Sequence, residues 1–110
     1  KEDKSAIPAM GKWQQRWTTP TPFAGHAIAA AENTVMAAGV PMLKGYSVED
    51  TNASYAGEKG GIAWLLDAED GHQLQELRFD AAPVWDGIAI AHGSYFVCLK
   101  DGSVVCLSAR

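Results

Sequence analysis

The sequence is poor in cysteine, in basic residues and in long apolar runs. Only two cysteines occur in 110 residues, Cys98 and Cys106. Two thiols make no zinc site without His or carboxylate help at suitable spacing, and no such spacing is present. Nine basic residues against thirteen acidic ones leave a net charge of −4. No basic stripe exists to displace phosphate counterions, which argues against nucleic acid or an anionic membrane surface as a partner. No apolar run approaches the ~20 residues that span a bilayer as a helix. The Gly-x-Ser-x-Gly, Walker and Rossmann spacings are all missing, so no catalytic constellation is predicted. The chain opens at Lys1 rather than Met, and a leader or upstream domains removed from a longer protein is the expectation.

What is present is a globular balance, 47% hydrophobic and 20% charged, on which a packed core is expected. The stretch from Trp85 to Leu107 holds three short apolar runs. They are split at His92-Gly93-Ser94 and at Asp101-Gly102, a strong hairpin signal. This predicts a three-stranded antiparallel meander. With a two-residue Asp101-Gly102 loop, Cys98 faces Val105 and the two thiols point to opposite faces. A three-residue bulged loop puts the cysteines opposite each other instead. A disulfide and a pair of small buried hydrophobes are both open readings.

Residues 1–11 read as a polar, solvated arm. A strand follows over 12–18, with Trp13, Gln15 and Trp17 on one face, ended by Thr19-Pro20-Thr21-Pro22. The segment from His26 to Gly39 has enough alanine for a helix, but Glu32-Asn33 divides it and Ile28, Thr34, Val35 and Val40 are β-branched. Internal repetition favours a hairpin. Ala27–Ala31 aligns with Gly87–Ala91, and Thr34–Ala38 with Ser94–Cys98, at an offset of 60. Strands are therefore expected near 26–31 and 34–40. Residues 41–60 read as a long polar loop without secondary structure, of a length that often carries function. A strand over 61–68 echoes 102–109 at an offset of 41, Glu69-Asp70-Gly71 makes a tight turn, and 72–79 is a half-exposed outer strand.

Labelled by position, the strands run D (12–18), then A (26–31), B (34–40), C (61–68), D (72–79), then A (87–91), B (94–100), C (102–109). A four-stranded unit with a core period near 41 residues is the pattern of a β-propeller blade. The predicted class is all-β, about two antiparallel blades in the order D-ABCD-ABC. One blade spans 26–79 with 41–60 inserted. A second, incomplete blade spans 87–110, and the N-terminal strand 12–18 is expected to complete a last blade that lacks its D strand. Two blades leave apolar faces and sheet edges open, so a larger propeller, or a ring of copies, is expected.

At Leu66-Asp67-Ala68-Glu69-Asp70-Gly71 the chain resembles the pyrroloquinoline-quinone (PQQ)-type β-propeller repeat, whose consensus at this turn runs Leu-Asp-Ala-x-Thr-Gly. Gly60–Trp64, Pro83–Gly87 and Asp101–Cys106 look like the C-terminal blades of exported bacterial members of that family. Against the tryptophan-docking form of the motif, Ala-x-Asp-x-x-Thr-Gly-x-Glu-x-Trp, Asp67 and Gly71 match. Leu65 stands for Ala, Asp70 for Thr, Gln73 for Glu and Gln75 for the docking Trp. The resemblance implies a periplasmic or extracellular propeller, with PQQ as a cofactor by family alone; no cofactor ligand is evident in the residues.

The candidate residues divide into two sets. Asp67, Gly71, Trp85, Asp86, Gly87, Asp101 and Gly102 belong to the turn and strand motifs. Tyr46, Glu49, Asp50, Tyr55 and Glu58 in the long loop, with Trp13 and Trp17, are candidates for contact with a partner, and Glu49, Asp50 and Glu58 also for a cation; Trp13, Trp17, Trp64 and Trp85 read first as buried anchors between blades rather than a substrate platform. Asp67–Gly71 lacks the acidic spacing of a calcium loop. Asn52-Ala53-Ser54 fits the N-glycosylation pattern, with chance the simpler origin. His26, His72 and His92 are too scattered for a ligand set. A non-catalytic propeller scaffold is the leading expectation. A segment of a quinoprotein dehydrogenase and a carbohydrate- or polymer-binding module using exposed tryptophans are the alternatives.

Overall fold

The computed structural model describes residues 13–108. Seven strands form two antiparallel sheets. β1 (Phe23–Ala30), β2 (Thr34–Pro41), β3 (Gly61–Asp67) and β4 (Gln73–Phe79) make a four-stranded meander; β5 (Pro83–Ala91), β6 (Ser94–Leu99) and β7 (Val104–Ser108) make a three-stranded one. The expected hairpin over His26–Gly39 is present, so the division at Glu32-Asn33 overrides the helical propensity of the alanines. The proposed polar arm at 1–11 lies outside the described residues.

Three expectations are corrected. First, residues 13–18 carry no strand pairing. Instead of joining a sheet, the segment is held at the β3–β4 turn: Trp17 Nε1 donates to the Ala68 carbonyl at 3.0 Å and Thr19 Oγ1 to the Gly71 carbonyl at 2.5 Å. Gly71 sits at φ +81°, and a Cβ there would collide with the Trp17 ring. Both demands call for glycine.

Second, the 41–60 insertion is not structureless. It contains α1 (Val48–Tyr55), opened by a reciprocal capping box in which Ser47 Oγ accepts from the Asp50 N–H and Asp50 accepts from the Ser47 N–H. It closes in a Schellman motif, Glu58 N–H to the Ala53 carbonyl and Gly57 N–H to Ser54, with Gly57 at φ +90°. The buried Ser54 hydroxyl donates to the Pro41 carbonyl, and Lys100 Nζ donates to the Ala56 carbonyl at 3.3 Å. The amine thus supplies the positive charge that the last turn of α1 lacks.

Third, the β6–β7 loop is the three-residue form, but its residues are Lys100, Asp101 and Gly102. Leu99 pairs with Ser103, and Gly102 takes φ +92°. Cys98 therefore lies opposite Val104, and Cys106 opposite Phe96. The thiols share one face as diagonal neighbours, both exposed and unbonded.

The sheets pack face to face. Met36, Ala38 and Ala63 from the first meet Tyr95, Val97 and Leu99 from the second, with Leu65, Leu77, Phe79, Val105 and Leu107 around them. Tyr95 Oη and Thr34 Oγ1 close a 2.7 Å hydrogen bond across the junction, so each of these two hydroxyls has a partner. β1 runs beside β5 along the same junction. Met36 is 2% exposed at its centre. Met36→Ala should lower unfolding free energy by ~2–5 kcal/mol, the range for emptying a core site of this size, as measured by urea denaturation followed by circular dichroism.

Candidate functional site

Where β1 and β5 run side by side, both depart from regular pairing. β1 slips register between Gly25 and Ala27, pushing His26 out of the ladder. β5 pairs at Pro83 and not again until Ile88, so Val84-Trp85-Asp86-Gly87 swings out as a wide bulge. Asp86 holds φ +56° there, a left-handed conformation that Asp tolerates better than most residues. A Cβ at Gly87 would press on Val84.

The two bulges bring His26 and Trp85 into a stack, with ring centroids 3.9 Å apart and planes inclined 26°. The imidazole is buried at 8% exposure; the indole is 69% exposed. Tyr55 from the last turn of α1 and Lys100 from the β6–β7 loop approach the same place. Together with Pro83 and Val84 they line a cavity of about 190 Å³. His26 Nδ1 lies 3.2 Å from the Pro83 carbonyl oxygen. A carbonyl only accepts, so Nδ1 carries a proton, and in the neutral imidazole Nε2 is then the nitrogen that offers a lone pair. That Nε2 is buried and has no hydrogen-bond partner among the described residues.

The residues singled out in the sequence do not form one site. Of the insertion residues, Tyr55 alone reaches the cavity. Asp50 caps α1 and lies 3.6 Å from Lys59 Nζ, whose amine also sits 5.3 Å from the Tyr46 ring centre. Those bonds to Ser47, together with the charge of Lys59, hold the Asp50 carboxyl below its ordinary range. Glu49 and Glu58 face solvent. Trp13 is exposed and Trp17 is committed to the β3–β4 turn. Asn52 and Ser54 lie within α1, where the Ser54 hydroxyl is sealed against Pro41. Sequence reasoning gave Trp85 a motif role and His26 a structural one. Their juxtaposition depends on two bulges, which composition and spacing do not announce.

Asp67, Asp70 and His72 form a second cluster, with ligand atoms within 4.8 Å of one another. Its geometry is that of a locked turn. Asp67 accepts from the Glu69 N–H at 2.7 Å, and Asp70 from the His72 N–H at 3.0 Å. Asp70 also meets His72 Nδ1 at 2.7 Å. The bond from the His72 N–H, and after it the side-chain bond, lower the Asp70 carboxyl, while the side-chain bond raises the His72 imidazole above its ordinary 6.5.

The quinone cofactor implied by the family resemblance is a rigid, polyanionic ring system, and the cavity does not fit it. A single lysine amine lines the space, too little positive charge for a group carrying several carboxylates.

In a proton-detected titration His72 should show a midpoint above 6.5, and Asp70→Asn should return it toward that value. Because the folded midpoint is the raised one, the stabilisation from charging His72 beside an ionised Asp70 is fully present just below pH ~6.5 and disappears as pH rises through the folded midpoint. No family model, no curated protein and no solved structure matches this chain.

Proposed function

We propose that this chain is a non-catalytic scaffold segment, two neighbouring blades of a larger β-propeller, whose task is to pack against further sheets of like build. The observation that carries the reading is the outer face of the second sheet. Pairing places Ala89, Phe96 and Cys106 in one row and Cys98 and Val104 in the next, all directed away from the core. Val104 is 60% exposed; Ala89, Cys98 and Cys106 are exposed as well. A sheet that is apolar on both faces is a sheet designed for neighbours on both sides.

Three further features agree. Among the described residues the second sheet has three strands where the first has four, and β7 presents a free edge. Residues 13–19 sit at the β3–β4 turn without a sheet of their own, as a strand of a preceding blade would. The Cα radius of gyration is 16.0 Å, against about 13 Å for a closed domain of this length. The insertion bearing α1 is the feature that projects beyond the repeat, and it is the part of this scaffold offered to other partners.

Sedimentation velocity provides the test. The isolated chain should self-associate, and placing a charge on the outer face with Val104→Lys should shift it toward monomer while its β-type circular dichroism persists. A compact, soluble 11.7 kDa monomer of the unmodified chain would sink this reading.

A further inference from the structure

The cavity between the β1 and β5 bulges has a chemistry of its own, independent of how the sheets assemble. We propose that it binds a single neutral sugar ring, with Trp85 as the stacking platform and His26 Nε2 as the acceptor for a ring hydroxyl.

The argument starts from the unpaired lone pair. A buried polar atom without a partner is uncommon and costly in a folded protein. In the neutral imidazole the bond from Nδ1 to the Pro83 carbonyl leaves Nε2 an acceptor, and the partner that fits it is then a donor. A carboxylate or a fully ionised phosphate ester brings no proton to give and is disfavoured at that atom. A metal ion would need further ligands, and the other residues lining the cavity, Tyr55, Pro83, Val84, Trp85 and Lys100, include no carboxylate, thiol or second imidazole. A hydroxyl group satisfies the requirement.

The walls narrow the class further. The indole spends part of one face on His26 and leaves most of its surface to solvent. Aromatic faces carry negative charge density, which suits the weakly positive C–H face of a pyranose. Tyr55, 52% exposed, adds a hydroxyl that both donates and accepts. Lys100 Nζ gives one proton to the Ala56 carbonyl and keeps two for ring or hydroxyl oxygens. The volume of about 190 Å³ lies below the ~300–1,000 Å³ of pockets for drug-sized ligands, which points to one ring rather than a chain. Nε2 is closed to solvent, so a side chain around the imidazole shifts for the hydroxyl to reach it, and the exposed indole stacked on that ring is the one placed to move. Trp85 is thus platform and cover together, carried on a bulge whose Asp86 holds a sparsely populated backbone conformation.

The test titrates the full chain with glucose, galactose and mannose, and with glucuronate as the anionic comparison, up to ~100 mM. A ligand of about a dozen heavy atoms is expected to bind with a Kd of millimolar order. The readout is the imidazole ¹⁵N spectrum of His26. At least one neutral hexose should shift the Nε2 resonance saturably and leave Nδ1 nearly in place. Trp85→Ala should weaken that sugar about tenfold or more, while Trp85→Phe, which keeps an aromatic face and serves if the alanine variant fails to fold, should retain most of the affinity. The proposal is overturned if every neutral hexose leaves Nε2 unmoved, if Trp85→Ala binds as well as the parent chain, or if glucuronate alone binds.

Discussion

The contact on which the rest depends is the meeting of two sheet faces along one apolar seam. Ala38 and Ala63 are small, and Tyr95, Val97 and Leu99 are large, so the second sheet settles into the first with its bulk where the first has space. The Tyr95–Thr34 hydrogen bond fixes how far along the strands the two sheets slide. Once that position is set, β1 and β5 must lie side by side, and their irregular residues must meet. The His26–Trp85 stack is therefore a consequence of core packing, although neither residue belongs to the central cluster.

Away from the seam, order is imposed by short-range polar bonds. The β3–β4 turn is locked by Asp67 and Asp70 and then clasped from outside by Trp17 and Thr19. The insertion is stiffened by caps at both ends of α1 and tied down by Ser54 and Lys100. Much of the periphery is held by backbone amides and carbonyls finding partners, which accounts for how little apolar area these parts bury.

The strand pattern was legible in the sequence because period-two alternation and turn dipeptides are local signals, and because the repeat let one hairpin vouch for another. His92-Gly93 illustrates this: both residues adopt positive φ, as a two-residue turn of that kind requires. The helix in the insertion carries local signals of its own. Ser47-Val48-Glu49-Asp50 spells a capping box, and Gly57 stands where such helices end. The pairing of residues 12–18 could not be read, since a strand pattern states which face is apolar and not whether an edge is within reach. The loop at Asp101-Gly102 contained the right residues, but the extra residue was Lys100 rather than Ser103, and that shift decided where both thiols point. The cavity lay beyond sequence reasoning because four separated segments build it.

The insertion has one more property. It leaves the first sheet after β2 and returns at β3, two strands that pair directly, Gly39 opposite Ile62. Its two ends are therefore held next to each other by the sheet, whatever lies between them. Lengthening or exchanging such a loop costs only the slowly growing entropy of closing it. Evolution, or an engineer, can thus swap this excursion for one of different chemistry without disturbing the register of the ladder, which makes the Val40–Gly61 junction a natural grafting point on an otherwise inflexible frame.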